Sequence, residues 1–465
     1  MKNGSFWVLS KKLSSDPSSN PPTTGEDRDP GESEERRKNS LISRDAKLLF
    51  TWLFINSIPI GYMNVVPLVY LLEVGYSPAL IGTIYAVAAV ANTLSYFPCG
   101  ILADRYGRKV FVLVGGLIPC ISYAIFGLTL NPILLILAGV LGGVGLAGGF
   151  AVGMSSPAIL PLLAESTSDK NRTMIFGLSN GIFIGALTTG ALLSFLPSVF
   201  MSSLSVNSYS AHSYAYFVMS ILVIASTIPV LFVKERRAKP PQLQKSATKG
   251  GKPSSRISRL VPIVSRKTIL NFSIIFAFSG FGLGVIVQLV PTWYTIRFGV
   301  NETTAGLAIA VAEFCGIFAI LIIPSIVKRR GTIIASAVTL FLSCAFLGIM
   351  PLAATFMIAA ILFVFRSIFI NVAWPVQQSY MVGIVKEKER ATAIGITYSA
   401  WGAAASLATY IGGTLLSIKS LTWLPFVLSF AAYSISALLL YLMFRKIKPP
   451  EELELDPSAS EVKMP

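Results

Sequence analysis

Long apolar runs alternate with short polar breaks along most of this chain. A hydrocarbon core of about 30 Å takes about 20 apolar residues in a helix. Twelve runs meet that length, at 47–70, 79–101, 110–130, 133–163, 173–197, 214–234, 269–295, 304–327, 332–352, 355–383, 391–417 and 422–444. None has the ten-residue alternation of a membrane β-strand. The pattern therefore predicts an all-α membrane protein with twelve transmembrane helices. It is also duplicated. Gly75-Tyr76-Ser77-Pro78-Ala79-Leu80-Ile81-Gly82 opens one run, and Gly299-Val300-Asn301-Glu302-Thr303-Thr304-Ala305-Gly306 opens another 224 residues later. Each run ends in a basic turn, at Gly107 and at Gly331, again 224 residues apart. Two six-helix bundles in the same sequence order form a parallel repeat about an axis along the membrane normal.

The expected organisation is a tail over 1–45, a six-helix bundle over 46–234, a linker over 235–268, a second bundle over 269–447 and a tail over 448–465. The first tail is rich in Ser, Pro, Glu and Arg, a composition that resists folding. It has no apolar core of a signal peptide, so the first span is expected to be retained. The linker from Lys234 to Thr268 holds eleven Lys and Arg together with Pro240-Pro241 and Gly250-Gly251, which suits a flexible, membrane-surface segment.

Composition narrows the class further. The chain is 53% hydrophobic and only 13% charged, with a mean hydropathy of +0.68. Soluble domains carry about a quarter charged residues. The net charge of +16 would suit nucleic acid, but its placement argues otherwise. With residue 1 in the cytoplasm, 35 of the 38 Lys and Arg fall in cytoplasmic tails and loops, leaving Arg297 and Lys419 outside and Arg366 within a span. This is the positive-inside pattern. It predicts a multi-pass plasma-membrane protein with both termini cytoplasmic and basic loops against anionic headgroups, with no nucleic-acid partner. Cys99, Cys120, Cys315 and Cys344 all lie in spans, so no disulfide scaffold, metal site or cofactor is expected. His212, the sole histidine, falls in the external segment 197–213 and is expected to be incidental.

The first basic turn reads Gly100-Ile101-Leu102-Ala103-Asp104-Arg105-Tyr106-Gly107-Arg108-Lys109, between the second and third spans. It resembles the G-x-L-a-D-R-x-G-r-k signature of the major facilitator superfamily, and with the span pattern the resemblance covers 45–447. The resemblance implies two six-helix bundles around a central cavity. It also implies a cytoplasmic gate in which Asp104 locks against helix ends of the other half, such as the helix starting near Ala391. Gly100, Arg105, Gly107 and Arg108 belong to the same turn. Read from spacing alone, the basic residues serve equally as topology anchors. Glu165 and Arg172 flank the next inner turn and match Arg390 in the second half, all three being gate candidates. The second basic turn, Pro324-Ser325-Ile326-Val327-Lys328-Arg329-Arg330-Gly331, has Lys328 in place of the acid, so its half of the lock is weakened or reversed. Two features of proton-coupled drug exporters are absent, the proline-glycine ending of the fifth span and a buried arginine in the fourth.

Charge inside the spans is confined to the second half. Glu313 in the eighth span and Arg366 in the tenth lie at similar depth, and lipid exposure of either would be costly. They are candidates for substrate or proton binding, against the plainer reading of a structural ion pair. Their first-half counterparts are Ala89 and Gly148. Asn56, Asn64, Gln288, Asn371 and Gln377 are candidate cavity residues; Asn271 and Gln378 stand nearer span ends. Seven glycines from Gly139 to Gly153, and Gly177, Gly181 and Gly185 at intervals of four, offer close helix approach. Trp293 and Trp423 suit an aromatic belt, and Pro59, Pro67, Pro157 and Pro375 suit bends.

No phosphate loop, zinc constellation or Ser-His-Asp set occurs, so an enzyme or an ATP-driven pump is not expected. The expected function is secondary active transport of a small organic solute, proton-coupled, by a monomer. An uncoupled facilitator and a non-transporting receptor are the alternatives. For the topology, cysteines introduced singly at Ser19, Ser246 and Ser458 should resist an impermeant thiol reagent in intact cells. Labelling of Ser246→Cys from outside would overturn the six-plus-six threading.

Overall fold

The computed structural model describes residues 42–166, 172–235, 265–386, 389–445 and 447. Side chains at 160, 164, 165, 172–174, 176, 320–330 and 391 are outside that description. The expected tails and linker, the Lys328 turn and the side chains of Glu165 and Arg172 thus lie largely or wholly outside the described residues.

Every regular element among the described residues is a helix. Ser43 starts α1 (Arg44–Met63) by accepting a hydrogen bond from the Ala46 amide at 3.1 Å. After a break at Asn64-Val65 the chain continues as α2 (Val66–Glu73), with Pro67 in its first turn. Next come α3 (Pro78–Tyr106), α4 (Arg108–Leu128), α5 (Pro132–Leu141) and α6 (Gly149–Glu165). Then follow α7 (Arg172–Leu192), α8 (Leu196–Leu204) and α9 (Ser208–Leu231). The second half comprises α10 (Arg266–Ile286), α11 (Val290–Phe298), α12 (Glu302–Arg330), α13 (Thr332–Ile349), α14 (Phe356–Ile384), α15 (Arg390–Leu416) and α16 (Leu424–Phe444). Gly107 and Gly331 turn the chain between α3 and α4 and between α12 and α13. Their φ values are 112° and 75°, where side chains are strained.

Among the described residues, ten segments are long and apolar enough to cross a membrane, which makes this a multi-spanning helical bundle. Two of the twelve expected runs depart from that description, for different reasons. The run at 133–163 is not one helix. Gly142, Gly143, Gly145, Gly148 and Gly149 all take positive φ, so the chain unwinds between α5 and α6 around a single 3-10 turn at Gly145–Ala147. Five of the glycines expected to smooth a packing surface instead break the helix. Helix α15 is 27 residues long, but its glycines, serines and threonines leave no stretch of it as apolar as the ten spans.

The packing repeats with the sequence. In the first half α1 packs on α7 and α9, α3 on α6, and α4 on α6 and α9. In the second half α10 packs on α15 and α16, α12 on α14, and α13 on α14 and α16. These are the same pairings after one duplication. The halves meet along α3 with α15 and along α7 with α12, with a smaller contact of α2 with α11. Gly82 and Gly306, the glycines that repeat in sequence, sit on these seams. A Cβ on Gly82 would lie 2.8 Å from Gly413 Cα, and one on Gly306 would lie 2.6 Å from the Ala191 carbonyl oxygen.

Cross-half hydrogen bonds gather at this same end, called here the Gly299 end. Thr292 donates to the Leu68 carbonyl at 3.0 Å, the Ala79 amide to Ser417 Oγ at 2.9 Å, and Ser198 and Thr303 hydroxyls meet at 3.3 Å. Four glycines of α7 and α15 face open space. A Cβ on Gly177, Gly181, Gly185 or Gly395 would meet nothing within 4 Å.

Within the first half, Gly190 of α7 rests on α1, where a Cβ would lie 2.7 Å from the Tyr62 amide nitrogen. Backbone cannot yield there as a side chain can. Gly190→Val should destabilise the protein by about 2 kcal/mol or more, seen as a lower melting temperature in detergent. The same substitution at Gly181, which faces open space, should leave the melting temperature nearly unchanged.

Candidate functional site

A cavity of about 400 Å³ lies between the halves, enclosed by α3, the break before α6, α7, α10 and α12 to α16. Its wall mixes two kinds of surface. Tyr96, Phe183, Trp374, Tyr398 and Trp401 supply aromatic area. Trp374 is packed against Tyr398 and Trp401 with ring centres 5.9 and 5.7 Å apart. Asn92, Asn180, Asn371, Gln377, Glu313 and Arg366 supply polar groups.

Helix α14 carries Arg366 into this wall. The residue is 6% exposed, and its Nε and Nη2 atoms have no hydrogen-bond partner. The guanidinium carbon lies 5.7 Å from the Phe363 ring centre, and the Tyr433 phenol stands beside it. Its backbone carbonyl accepts from Ser343 at 3.0 Å, which ties α14 to α13. Glu313 reaches the same cavity from α12, close enough for the guanidinium charge to act on the carboxyl. No ion pair within 4.0 Å joins the two among the described residues. The unpartnered Nε–Nη2 edge is the face of arginine that matches a carboxylate with two parallel hydrogen bonds. Asn92 Oδ1, Ser367 Oγ and Gln377 Oε1 are also buried without partners. Buried polar atoms are costly unless something satisfies them, so a set of them around one cavity marks a place for a polar ligand.

Gln288, Asn371, Gln377, Glu313 and Arg366, all singled out from sequence, line the cavity. Gln288 is partly committed, since Thr409 donates to its Oε1 at 3.1 Å. Asn56 and Asn64 stand elsewhere and correct the sequence expectation. Asn56 Nδ2 donates to the Gly116 carbonyl at 3.3 Å and to Ser226 Oγ at 3.0 Å, binding α1 to α4 and α9. Asn64 Oδ1 accepts from the Leu146 amide at 2.8 Å and anchors the unwound segment. Sequence reasoning passed over Asn92, Tyr96, Asn180, Trp374, Tyr398 and Trp401. A helical face was the available signal: Asn92 and Tyr96 are four apart, and Tyr398 and Trp401 three apart.

The basic turn has its own geometry. Asp104, with its side chain 64% exposed, pairs with Arg108 in the same turn at 2.7 Å. This is its contact among the described residues. The Arg108 amide donates to Glu235 Oε1 at 2.5 Å, and Lys109 Nζ donates to the Leu231 and Val233 carbonyls at 2.7 and 2.9 Å. The turn is thus tied to the end of α9. Arg105 lies over the Tyr106 ring at 5.5 Å, and a Cβ on Gly100 would touch Pro157 at 3.5 Å. Arg390 opens α15 with its Nε buried and without a hydrogen-bond partner.

Two further expectations change. Trp293 is 1% exposed and packs on Phe426 with ring centres 4.6 Å apart, so it belongs to the core and not to an aromatic belt. His212 lies inside α9, buried, and not in an external loop.

The sequence model described as Major Facilitator Superfamily matches residues 49–372 and 328–463. The chain belongs to that superfamily. It is therefore a membrane transporter by family, not an enzyme. Multidrug resistance protein 2 of Bacillus subtilis (strain 168) is 23% identical over 290 residues, 61% of this chain and 67% of that protein. Quinolone resistance protein NorA of Staphylococcus aureus is 24% identical over 149 residues, 32% of this chain and 37% of its own length. Among solved structures, a bacterial homolog of the human lysosomal transporter Spinster, inward-facing and occupied, superposes with a TM-score of 0.65 at 15% identity. That match covers 86% of this chain and 96% of the other. The nucleoside transporter NupG matches with a TM-score of 0.61 at 14% identity, over 87% and 99% of the two chains.

The two asparagine environments make opposite predictions. Asn56→Ala removes a bridge between three helices and should cost about 1–3 kcal/mol, lowering the melting temperature. Asn92→Ala leaves no donor stranded and should melt within a degree or two of the native protein while changing solute affinity.

Proposed function

We propose that this transporter moves a small amphipathic organic anion together with a proton, by alternating access. In this reading twelve spans form two six-helix halves, and α5 with α6 counts as one broken span. The Gly107 end is cytoplasmic, as the basic residues favour, in the plasma membrane of a cell whose two chain termini are inside. In this reading the Gly299 end, where the cross-half hydrogen bonds gather, is the closed one, and the structure faces inward like the Spinster homolog to which it is similar. A monomer suffices, since the cavity is walled by one chain.

One observation carries the solute class: the unpartnered Nε–Nη2 edge of a buried Arg366, set beside Glu313 in an aromatic-walled cavity. A carboxylate or similar anion satisfies that edge, and the aromatic wall takes an apolar body. Burying a second negative charge beside an ionised Glu313 would be unfavourable, so solute binding draws a proton onto Glu313. The loaded cavity then carries no added charge. Relatives named for multidrug and quinolone resistance fit an amphipathic solute. Asp104, Arg105, Arg108 and Arg390, with Gly100 and Gly107 beneath them and Glu165 and Arg172 at the neighbouring turn, form the cytoplasmic gate in this scheme. The exposed Asp104–Arg108 pair is worth no more than about 1 kcal/mol, weak enough to exchange partners when the gate closes.

A thermal-stabilisation screen of aromatic and aliphatic carboxylates on the purified protein identifies a ligand, because binding to the native state alone raises stability. Proteoliposomes loaded with that ligand then test the coupling. Glu313→Gln should abolish accumulation driven by a pH gradient and preserve solute exchange at equal pH. Undiminished gradient-driven accumulation by this variant would remove Glu313 from the coupling. Downhill flux that ignores the gradient in the native protein would make it a facilitator.

A further inference from the structure

The Gly299 end holds a buried titratable pair that the cavity does not use. His212 on α9 and Glu302 at the start of α12 belong to opposite halves, and their Nε2 and Oε1 atoms stand 3.9 Å apart. Both residues are nearly inaccessible, at 1% and 4% exposure. The imidazole lies flat on the Tyr70 ring, with centres 3.7 Å apart and planes 15° apart. Its Nδ1 lies 2.7 Å from the Ser208 carbonyl oxygen, which can only accept. Nδ1 therefore carries the hydrogen in the neutral ring, and the Nε2 lone pair points away from it. Nε2 has no hydrogen-bond partner.

We infer that His212 and Glu302 form a proton-binding site across the seam between the halves, occupied when the Gly299 end is closed. With no proton on the pair, a lone pair faces a carboxylate and no hydrogen bond joins the two side chains. With one proton, Nε2–H donates to the carboxylate as a charge-assisted bond, which closing the 3.9 Å gap by about 1 Å would bring to full strength. The proton comes from, and returns to, water on the Gly299 side; no other reactant is involved. The other titratable groups set toward this pair are Glu73 and Tyr70 from α2, Tyr62 from α1, and Tyr209 and Tyr216 from α9. Glu73 is the only further acid among them, and it repels a carboxylate on Glu302 and so also favours the singly protonated pair.

This inference rests on the alternating-access reading, because opening the Gly299 end would part α9 from α12 and separate the two groups. A proton held more tightly by the closed state stabilises that state as pH falls. The site thus differs from Glu313: it sets which way the protein faces without touching solute.

The chain has a single histidine, so 15N-imidazole labelling of the untagged full-length protein gives one set of ring signals. The neutral ring should show the Nδ1–H tautomer. Glu302→Gln should need about tenfold more acid to reach the same protonated fraction, while Glu313→Gln leaves the titration unchanged. An identical titration in Glu302→Gln, or an Nε2–H tautomer, would overturn the pair. A second measurement guards against misfolding of that variant. Spin labels at Ser205→Cys and Leu352→Cys, with the four native cysteines replaced, report the separation of the Gly299 ends. As the pH falls from about 8 to about 4 the short-distance population should grow, because burial makes an imidazole hard to protonate, and His212→Gln should abolish that growth. A distance that ignores pH, or a response that survives His212→Gln, would also overturn it. Neither readout needs solute, so failure of the Glu313 flux test with these results intact would count against the coupling proposal alone.

Discussion

Backbone contact between the two halves is the constraint on which the rest of the structure depends. Helices α3 and α15 touch where Gly82 meets Gly413, and α7 with the turn after it touches α12 where Gly306 meets Ala191 and Ser194. Neither approach leaves room for a Cβ. Hydrogen bonds at Thr292, Ala79 and Ser198 join the halves around these points. Farther along α3 and α15, a Cβ on Gly402 would strike Thr93 Oγ1, so that contact runs from the Gly299 end to the middle of both helices. The cavity lies alongside this contact, with Ala89, Asn92, Thr93 and Gly402 in its wall.

The cavity is asymmetric although the frame around it is not. The duplicated frame places Ala89 where the second half has Glu313, and Gly148 where it has Arg366. Ala89 lines the cavity without charge, and Gly148 sits in the unwound segment at φ 76°. The first half thus contributes amides and aromatic surface, and the second half contributes both charges. Such an arrangement holds a polar ligand off-centre. It also leaves Arg366 with an unsatisfied edge in a low-dielectric setting, where an unmet hydrogen bond is costly and a met one is strong. An ion pair closed tightly by Glu313 would have removed that opportunity.

Much of the frame was legible in the chain. The multi-spanning helical character, the repeat and the helix-ending glycines at 107 and 331 are local properties, set by hydropathy over about 20 residues and by backbone freedom at single positions. The break at Gly142–Gly149 was legible in composition but not in meaning. Clustered glycines serve either close packing or unwinding, and only the positive φ values decide between them.

The site was legible in part, and the division has a physical cause. Charge inside an apolar run is costly in lipid wherever the helix points, so Glu313 and Arg366 could be picked out from sequence alone. Neutral amides carry no such penalty, and their roles depend on how each helix is rotated about its axis. Packing turned Asn56 toward Ser226 and Asn64 toward Leu146, and turned Asn92 and Gln377 to the cavity. The same holds for His212, whose partner Glu302 is 90 residues away in the other half. The sequence by itself determined the membrane class, the duplication, the family and the two cavity charges, because each is a property of one stretch of chain or of its copy. Which side chains share a space was decided only when the halves docked, because helix rotation and cross-half contact are properties of the packed whole.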